Sequence, residues 1–158
     1  MGTNGKQRER LRLEHFVPYR LSILTNTVST AIAGAYARRF GLSIPEWRVI
    51  AVLGLDPGLS AADVAERTAM DKVAVSRAVS SLLRSRRVVR TRANGDRRRS
   101  ELKLSRQGES VYWRVVPFAR QYERELLADL SASERANLDQ LLNRLHRRAR
   151  ALGPVRPG

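Results

Sequence analysis

The sequence predicts a mostly α-helical fold with a small β-hairpin wing: a winged helix-turn-helix carried between long N- and C-terminal dimerisation helices. Three observations carry that prediction. Two short helical segments, Ser60 to about Arg67 and Asp71 to Arg84, are joined only by Thr68-Ala69-Met70. A period-two stretch rich in arginine follows them directly. Long apolar stripes at helical spacing occupy both ends of the chain.

Taken in order, residues 1–12 are polar and charged and read as a flexible tail. From Phe16, Val17, Leu21, Leu24, Val28, Ala31 and Ala35 recur at steps of four and three, and Ile32, Tyr36 and Phe40 add a second stripe. A helix with two apolar stripes needs two partners, such as its own chain and a second subunit. Gly41 is its expected stop. Ser43-Ile-Pro-Glu46 reads as a capping box opening a helix with Trp47, Val49, Ile50, Val52 and Leu53. Asp56-Pro57-Gly58 is a turn, Ser60 caps the next helix, and Asp71 caps the one after it. Val75, Val79, Leu82 and Leu83 form the apolar face of that last helix.

The period then changes from helical to alternating. Val88–Ala93 and Ser100–Leu104 alternate around Asn94-Gly95, which predicts a hairpin with its tip at residues 94–99. Ser105 caps a long helix showing Val111, Val115, Phe118, Tyr122 and Leu126. Pro117 predicts a kink in it, and Trp113 is expected to pack nearby. Ser131-Ala-Ser-Glu134 is a second capping box, followed by a stripe of Leu138, Leu141, Leu145, Ala149 and Leu152. The organisation read from these signals is a tail at 1–12, dimerisation helices at 13–41 and 105–152, and a winged DNA-binding lobe at 42–104.

Composition narrows the function. The 158 residues hold no cysteine, which excludes disulfides, thiolate metal sites and thiol redox sensing. His15 and His146 are the only imidazoles, so no histidine metal cluster and no cofactor is expected. The longest uncharged run, Leu21 to Ala37, is interrupted by Ser, Thr and Asn and is too polar to span a bilayer. No secretory signal is visible, and a cytoplasmic location is expected. The net charge is +15, and because only Lys6, Lys72 and Lys103 are lysines, 27 of the 30 basic residues are arginine. A guanidinium grips phosphate bidentately, so the excess points to a polyanion, nucleic acid first.

The helix from Asp71 offers Lys72, Ser76, Arg77 and Ser80 opposite its apolar face. These are short donors and cations able to reach base edges or phosphates in a major groove. Ser60, at the cap of the preceding helix, is counted with them. From Arg84 to Arg99 there are eight arginines and one acid, Asp96. A hairpin tip bearing Arg97, Arg98 and Arg99 suits the narrow, negative minor groove, with Asp96 orienting a neighbouring arginine. The plainer reading is a solvated charge run, but such a density repels itself without an anion.

Trp47-Arg-Val, Ala69-Met-Asp-Lys-Val-Ala-Val-Ser-Arg77 and Asp96-Arg-Arg-Arg-Ser-Glu-Leu-Lys-Leu-Ser105, in this order, resemble the multiple-antibiotic-resistance regulator (MarR) family. The likeness runs from about residue 14 to 150. It implies a homodimer of interdigitated terminal helices, each winged lobe taking one half-site of a pseudo-palindromic duplex. It implies Ser76 and Arg77 as contacts from the recognition helix, and Arg98, held by Asp96, in the minor groove. Arg86-Arg87 departs from the family, which commonly has a glycine there, and puts the turn into the wing in question.

The resemblance also implies a small aromatic or phenolic ligand between the two lobes. The matching positions are Tyr19, Arg20, Asn26, Trp47, Arg48 and Tyr112. The arginines could hold a carboxylate and the rings could stack a ligand. Each has a plainer role: Trp47 as core, the arginines as ion-pair partners across a dimer, Asn26 as a buried hydrogen-bonding group. The expectation is a ligand-released, sequence-specific regulator, probed most simply with aromatic acids and their coenzyme A esters. No nucleophile–base pair or phosphate loop suggests an enzyme. The alternative is a nonspecific architectural nucleic-acid-binding protein.

Overall fold

A computed structural model describes residues 10–93 and 96–153, without the side chains of 92, 93 and 96–99. Most of the expected tail therefore lies outside the described residues, as does the Asn94-Gly95 turn. The chain divides into two compact units, residues 1–115 and 116–158.

In the first unit a single 3₁₀ turn, Leu13–His15, leads into α1, Val17–Phe40. Gly41 ends α1 in the left-handed region at φ 59°, where a Cβ would be strained, and its N–H returns to the Ala37 carbonyl at 3.0 Å. The predicted Ser43–Glu46 capping box opens α2, Ile44–Leu55. A second box, Ser60–Asp63, opens α3, Ala61–Thr68. Ala69 takes φ 51° to make the tight connection, and α4, Lys72–Arg84, follows. Strands β1, Val88–Ala93, and β2, Asp96–Leu104, pair antiparallel with Val88 opposite Leu104 and Arg92 opposite Ser100. β2 thus begins four residues earlier than the alternation in the sequence indicated. Gly58 and Leu59 bond to both sides of Leu102, adding one bridge at the hairpin's inner edge.

The core of this unit lies where α2, α3, α4 and the hairpin base meet. Val49, Ile50, Leu53, Val64, Val75, Val79, Leu82, Val88 and Leu102 are all buried. They come from both helical and alternating periodicities, which is what converging helices and a hairpin require. Truncating one of the leucines here would remove about 2–5 kcal/mol.

The departure at Arg86-Arg87 has a clear outcome. Arg86 occupies the left-handed region at φ 57°, so the turn keeps the glycine-like conformation without glycine. The Arg87 carbonyl then accepts the Ser105 N–H at 3.0 Å, while Ser105 Oγ donates to the Arg86 carbonyl at 2.6 Å. This brings the start of α5, Arg106–Leu126, onto the hairpin base. A Cβ on Gly108 would overlap the Arg87 carbonyl oxygen, so the close approach needs glycine.

α5 runs unbroken through Pro117 and contributes its second half to the second unit. There the Ser131–Glu134 box opens α6, Ala132–Leu152. Arg135 donates to the Leu127 and Leu130 carbonyls at 2.8 and 2.9 Å, closing the turn between the helices. α6 buries none of its residues, and Leu141, Leu142, Leu145 and Leu152 are exposed. The first half of α1 is similar, with Val17, Tyr19, Leu21, Ile23 and Leu24 exposed.

Two substitutions test the junction. Gly108→Ala should destabilise the protein by at least about 2 kcal/mol in urea unfolding, through overpacking and loss of the Ser105 bond. Arg86→Gly should raise the unfolding free energy by about 0.5–1 kcal/mol, and the urea midpoint with it, because it relieves a left-handed residue.

Candidate nucleic-acid interface

α4 is built to be amphipathic across its width. Asp71 Oδ1 accepts the Ala74 N–H at 2.8 Å, so this acid is engaged in capping, as the sequence indicated. Val75, Ala78, Val79 and Leu82 face the core, and Lys72, Val73, Ser76, Arg77 and Ser80 are exposed. The second helix of the helix-turn-helix therefore shows solvent the four residues the sequence singled out, plus Val73, which it did not.

A groove of about 270 Å³ lies beside this face. Val75 and Val79 form its floor, and Lys72, Ser76, Ser80 and Arg90 stand around it. Arg90, on β1, was missed by attention to the hairpin tip; its place in a period-two strand was the available signal. Ser60 is differently employed. Its hydroxyl donates to Asp63 Oδ2 at 2.7 Å and accepts the Asp63 N–H at 3.2 Å, so its proton is committed to the cap. The backbone of Asp96, Arg97, Arg98 and Arg99 lies in β2, but their side chains, and the Asp96–Arg98 contact, lie outside the described residues.

The hairpin is anchored through Arg87. Its Nη1 and Nη2 donate to the Gly41 and Phe40 carbonyls at 2.8 and 3.0 Å, satisfying acceptors at the C-terminus of α1. Its Nε is buried without a hydrogen-bond partner among the described residues. Close by, burial pushes the Glu46 carboxyl up. The Ser43 N–H, the hydroxyls of Ser81 and Ser43, and the Arg87 guanidinium outweigh that and hold it below its ordinary value.

The expected ligand residues do not converge. Tyr19, Arg20 and Asn26 are exposed on the first half of α1, and Arg48 is exposed on α2. Trp47 and Tyr112 do meet, stacked with centroids 6.1 Å apart. Tyr36, whose hydroxyl pKa is raised by burial, packs edge-on to Trp47 at 5.8 Å. Tyr112 lies so close to α2 that a Cβ on Gly54 would come within 2.6 Å of its ring. Beyond that ring opens a cavity of about 330 Å³, lined by Pro57, Lys103, Glu109, Tyr112 and Trp113 among others. Trp113, expected to pack near the proline, is instead 68% exposed and touches Tyr112 edge-on at 5.0 Å. Glu109, Tyr112 and Trp113 share one helical face at i, i+3 and i+4, a spacing visible in the sequence but unused.

Two helices in a tight turn with a basic hairpin packed beside them define a winged helix-turn-helix. Residues 40–99 match the MarR family model, and the chain has the fold of the MarR family of transcriptional regulators. A MarR/EmrR family transcriptional regulator from Acinetobacter sp. ADP1 is 26% identical with a TM-score of 0.82, covering 87% of this chain and 97% of its own. A probable transcriptional regulator from Pseudomonas aeruginosa is 26% identical with a TM-score of 0.75, covering 85% and 99%. The PcaV transcriptional regulator from Streptomyces coelicolor, solved in complex with its natural ligand, is 25% identical with a TM-score of 0.74, covering 87% and 96%. No curated protein matches the chain. No described helix is long and apolar enough to cross a membrane.

Because the folded-state pKa of Glu46 is lowered, its contribution to stability is present above its ordinary value of 4.5 and is lost as pH falls through the lower folded value. Glu46→Gln should therefore flatten the acid limb of a stability–pH curve measured by thermal melting. An unchanged acid limb would contradict the assignment.

Proposed function

We propose that the protein is a sequence-specific DNA-binding transcriptional regulator, a repressor released by a small aromatic ligand. The observation that carries the first part is the exposed Lys72–Ser76–Arg77–Ser80 face on the second helix of a MarR-type winged lobe. In this reading α4 enters the major groove. Ser76 and Arg77 read bases or phosphates, and Lys72, Ser80 and Arg90 hold the backbone. The hairpin tip, with Arg97, Arg98 and Arg99 and Asp96 orienting Arg98, takes the adjacent minor groove. Ser60 belongs to the contact set only through its remaining lone pair or its backbone.

The organisation proposed from the sequence is kept: dimerisation helices at 13–41 and 105–152 around a winged lobe at 42–104. The occupant of the exposed apolar faces of α1 and α6 is a second copy of the chain. A dimer places two recognition helices about one turn of DNA apart, ~34 Å, and makes the operator a pseudo-palindrome. The protein acts by binding, without catalysis, in the cytoplasm. Sedimentation at micromolar concentration should give twice the chain mass.

The ligand reading rests on the cavity beside Tyr112 and Trp113, where an aromatic acid could stack while Lys103 takes its carboxylate. The PcaV regulator, which has the same fold, was solved with its natural ligand. Tyr19, Arg20, Asn26 and Arg48 would join such a site only from a partner subunit or after rearrangement. Ligand can release DNA only by favouring a half-site spacing that the operator cannot match.

Fluorescence anisotropy on the DNA flanking the protein's own gene, against a scrambled duplex at ~150 mM salt, tests the reading. The expected preference is about 10³ or more. Equal binding to both would favour the nonspecific architectural alternative. Arg77→Ala should cost about 1–3 kcal/mol and relax the preference, whereas Lys72→Ala should weaken all duplexes alike and lower the salt slope by about one. Aromatic acids and their coenzyme A esters, titrated into the complex, should include one that releases the DNA and changes Trp113 fluorescence.

A further inference from the structure

The exposed face of α4 holds one side chain that the DNA-binding reading leaves unused. Val73 stands in the first turn of the helix and is 60% exposed. Lys72, Ser76, Arg77 and Ser80, which share the face, are all polar and exposed. The core side of α4 is already filled by Val75, Ala78, Val79 and Leu82. Val73 therefore adds nothing to the core, and a β-branched residue in an exposed helix turn lowers helix propensity relative to alanine.

We propose that Val73 is a specificity-determining residue that packs against the 5-methyl group of a thymine in the major groove. The proposal rests on the DNA-binding reading above. In such complexes the N-terminal residues of the recognition helix approach the base edges. The thymine methyl is the apolar group that the major groove displays, and a short apolar side chain is its natural partner. Ser76 and Arg77, one turn on at i+3 and i+4, flank Val73 on the exposed face, so the branched methyls sit between groups that prefer phosphates and polar edges. Water is thereby displaced from apolar surface on both molecules.

The helix also sets a spacing. Val73 and Arg77 are one turn apart, about 6 Å along the axis. Base pairs repeat about every 3.4 Å. With α4 lying along the groove, the thymine read by Val73 falls about two base steps from the pair that Arg77 faces. Each half-site should therefore contain a fixed thymine at that distance from the position whose preference disappears in Arg77→Ala.

The preferred half-site is first obtained by selecting duplexes from a random pool with the full-length protein. Each of its thymines is then replaced in turn by uracil, which lacks only the methyl group. One replacement per half-site, about two steps from the Arg77-dependent position, should weaken binding of the unmodified protein by about fourfold, the worth of burying one methyl. Val73→Ser, which removes the apolar branch at nearly equal helix propensity, should bind the thymine and uracil duplexes equally while keeping the Arg77-dependent preference and an unchanged melting temperature. No effect of uracil at any position, or the same loss in Val73→Ser as in the unmodified protein, overturns the assignment. Recovery of no preferred sequence overturns the DNA-binding reading, and the assignment with it.

Discussion

Where α4 gives way to β1, Arg86 and Arg87 join most of the first unit at one point. The Arg87 N–H returns to the Leu82 carbonyl at 2.9 Å and its own carbonyl accepts from Ser105, fixing the hairpin to both α4 and α5. Its guanidinium closes the C-terminus of α1. Gly108 lets α5 come down onto the same carbonyl, and Glu46 feels the same charge from the start of α2. α4, the wing and the first long helix are thus referenced to one residue. Any rotation of the wing against the end of α1 must break or stretch the two bonds from Arg87 to the Phe40 and Gly41 carbonyls.

The anchor also bears on electrostatics. Crowded guanidiniums repel one another, and an unanchored hairpin would relax by splaying apart. Arg87, Ser105 and the Leu59–Leu102 bridge fix the base of the hairpin, and in the proposed reading its arginines meet a phosphate-lined groove.

How legible the molecule was depended on the range of the interactions. The capping boxes at Ser43 and Ser131, the Asp71 cap and the Gly41 stop are local rules, and each was readable from a few residues. The polar face of α4 followed from helical period alone. The Arg87 anchor was not readable, because it joins residues more than 40 positions apart and arginine in a basic run looks like solvated charge. The cavity was legible only in part: Tyr112 was singled out, whereas Lys103, Glu109 and Trp113, which line it too, were not. Family likeness directed attention to α1 and Arg48, while the packing of Tyr112 on Gly54 left the described opening at Lys103, Glu109 and Trp113. Arg86 shows a third case: a turn that ordinarily wants glycine is held by the Arg86 N–H on the Leu83 carbonyl and by the Ser105 hydroxyl on the Arg86 carbonyl.

The near absence of lysine has a consequence for control. Acylation can erase the charge of a lysine but not of a guanidinium, whose proton is held at any physiological pH. Among the cations in and around the α4 groove, Lys72 alone is open to such erasure, and Arg77 and Arg90 are not. With no cysteine to oxidise, neither metabolic acyl donors nor oxidants have much purchase on the charge of this surface. The charge that Arg77 and Arg90 offer a polyanion is therefore fixed, and in the proposed reading control falls mainly to geometry: where the charged faces stand, not whether they are charged.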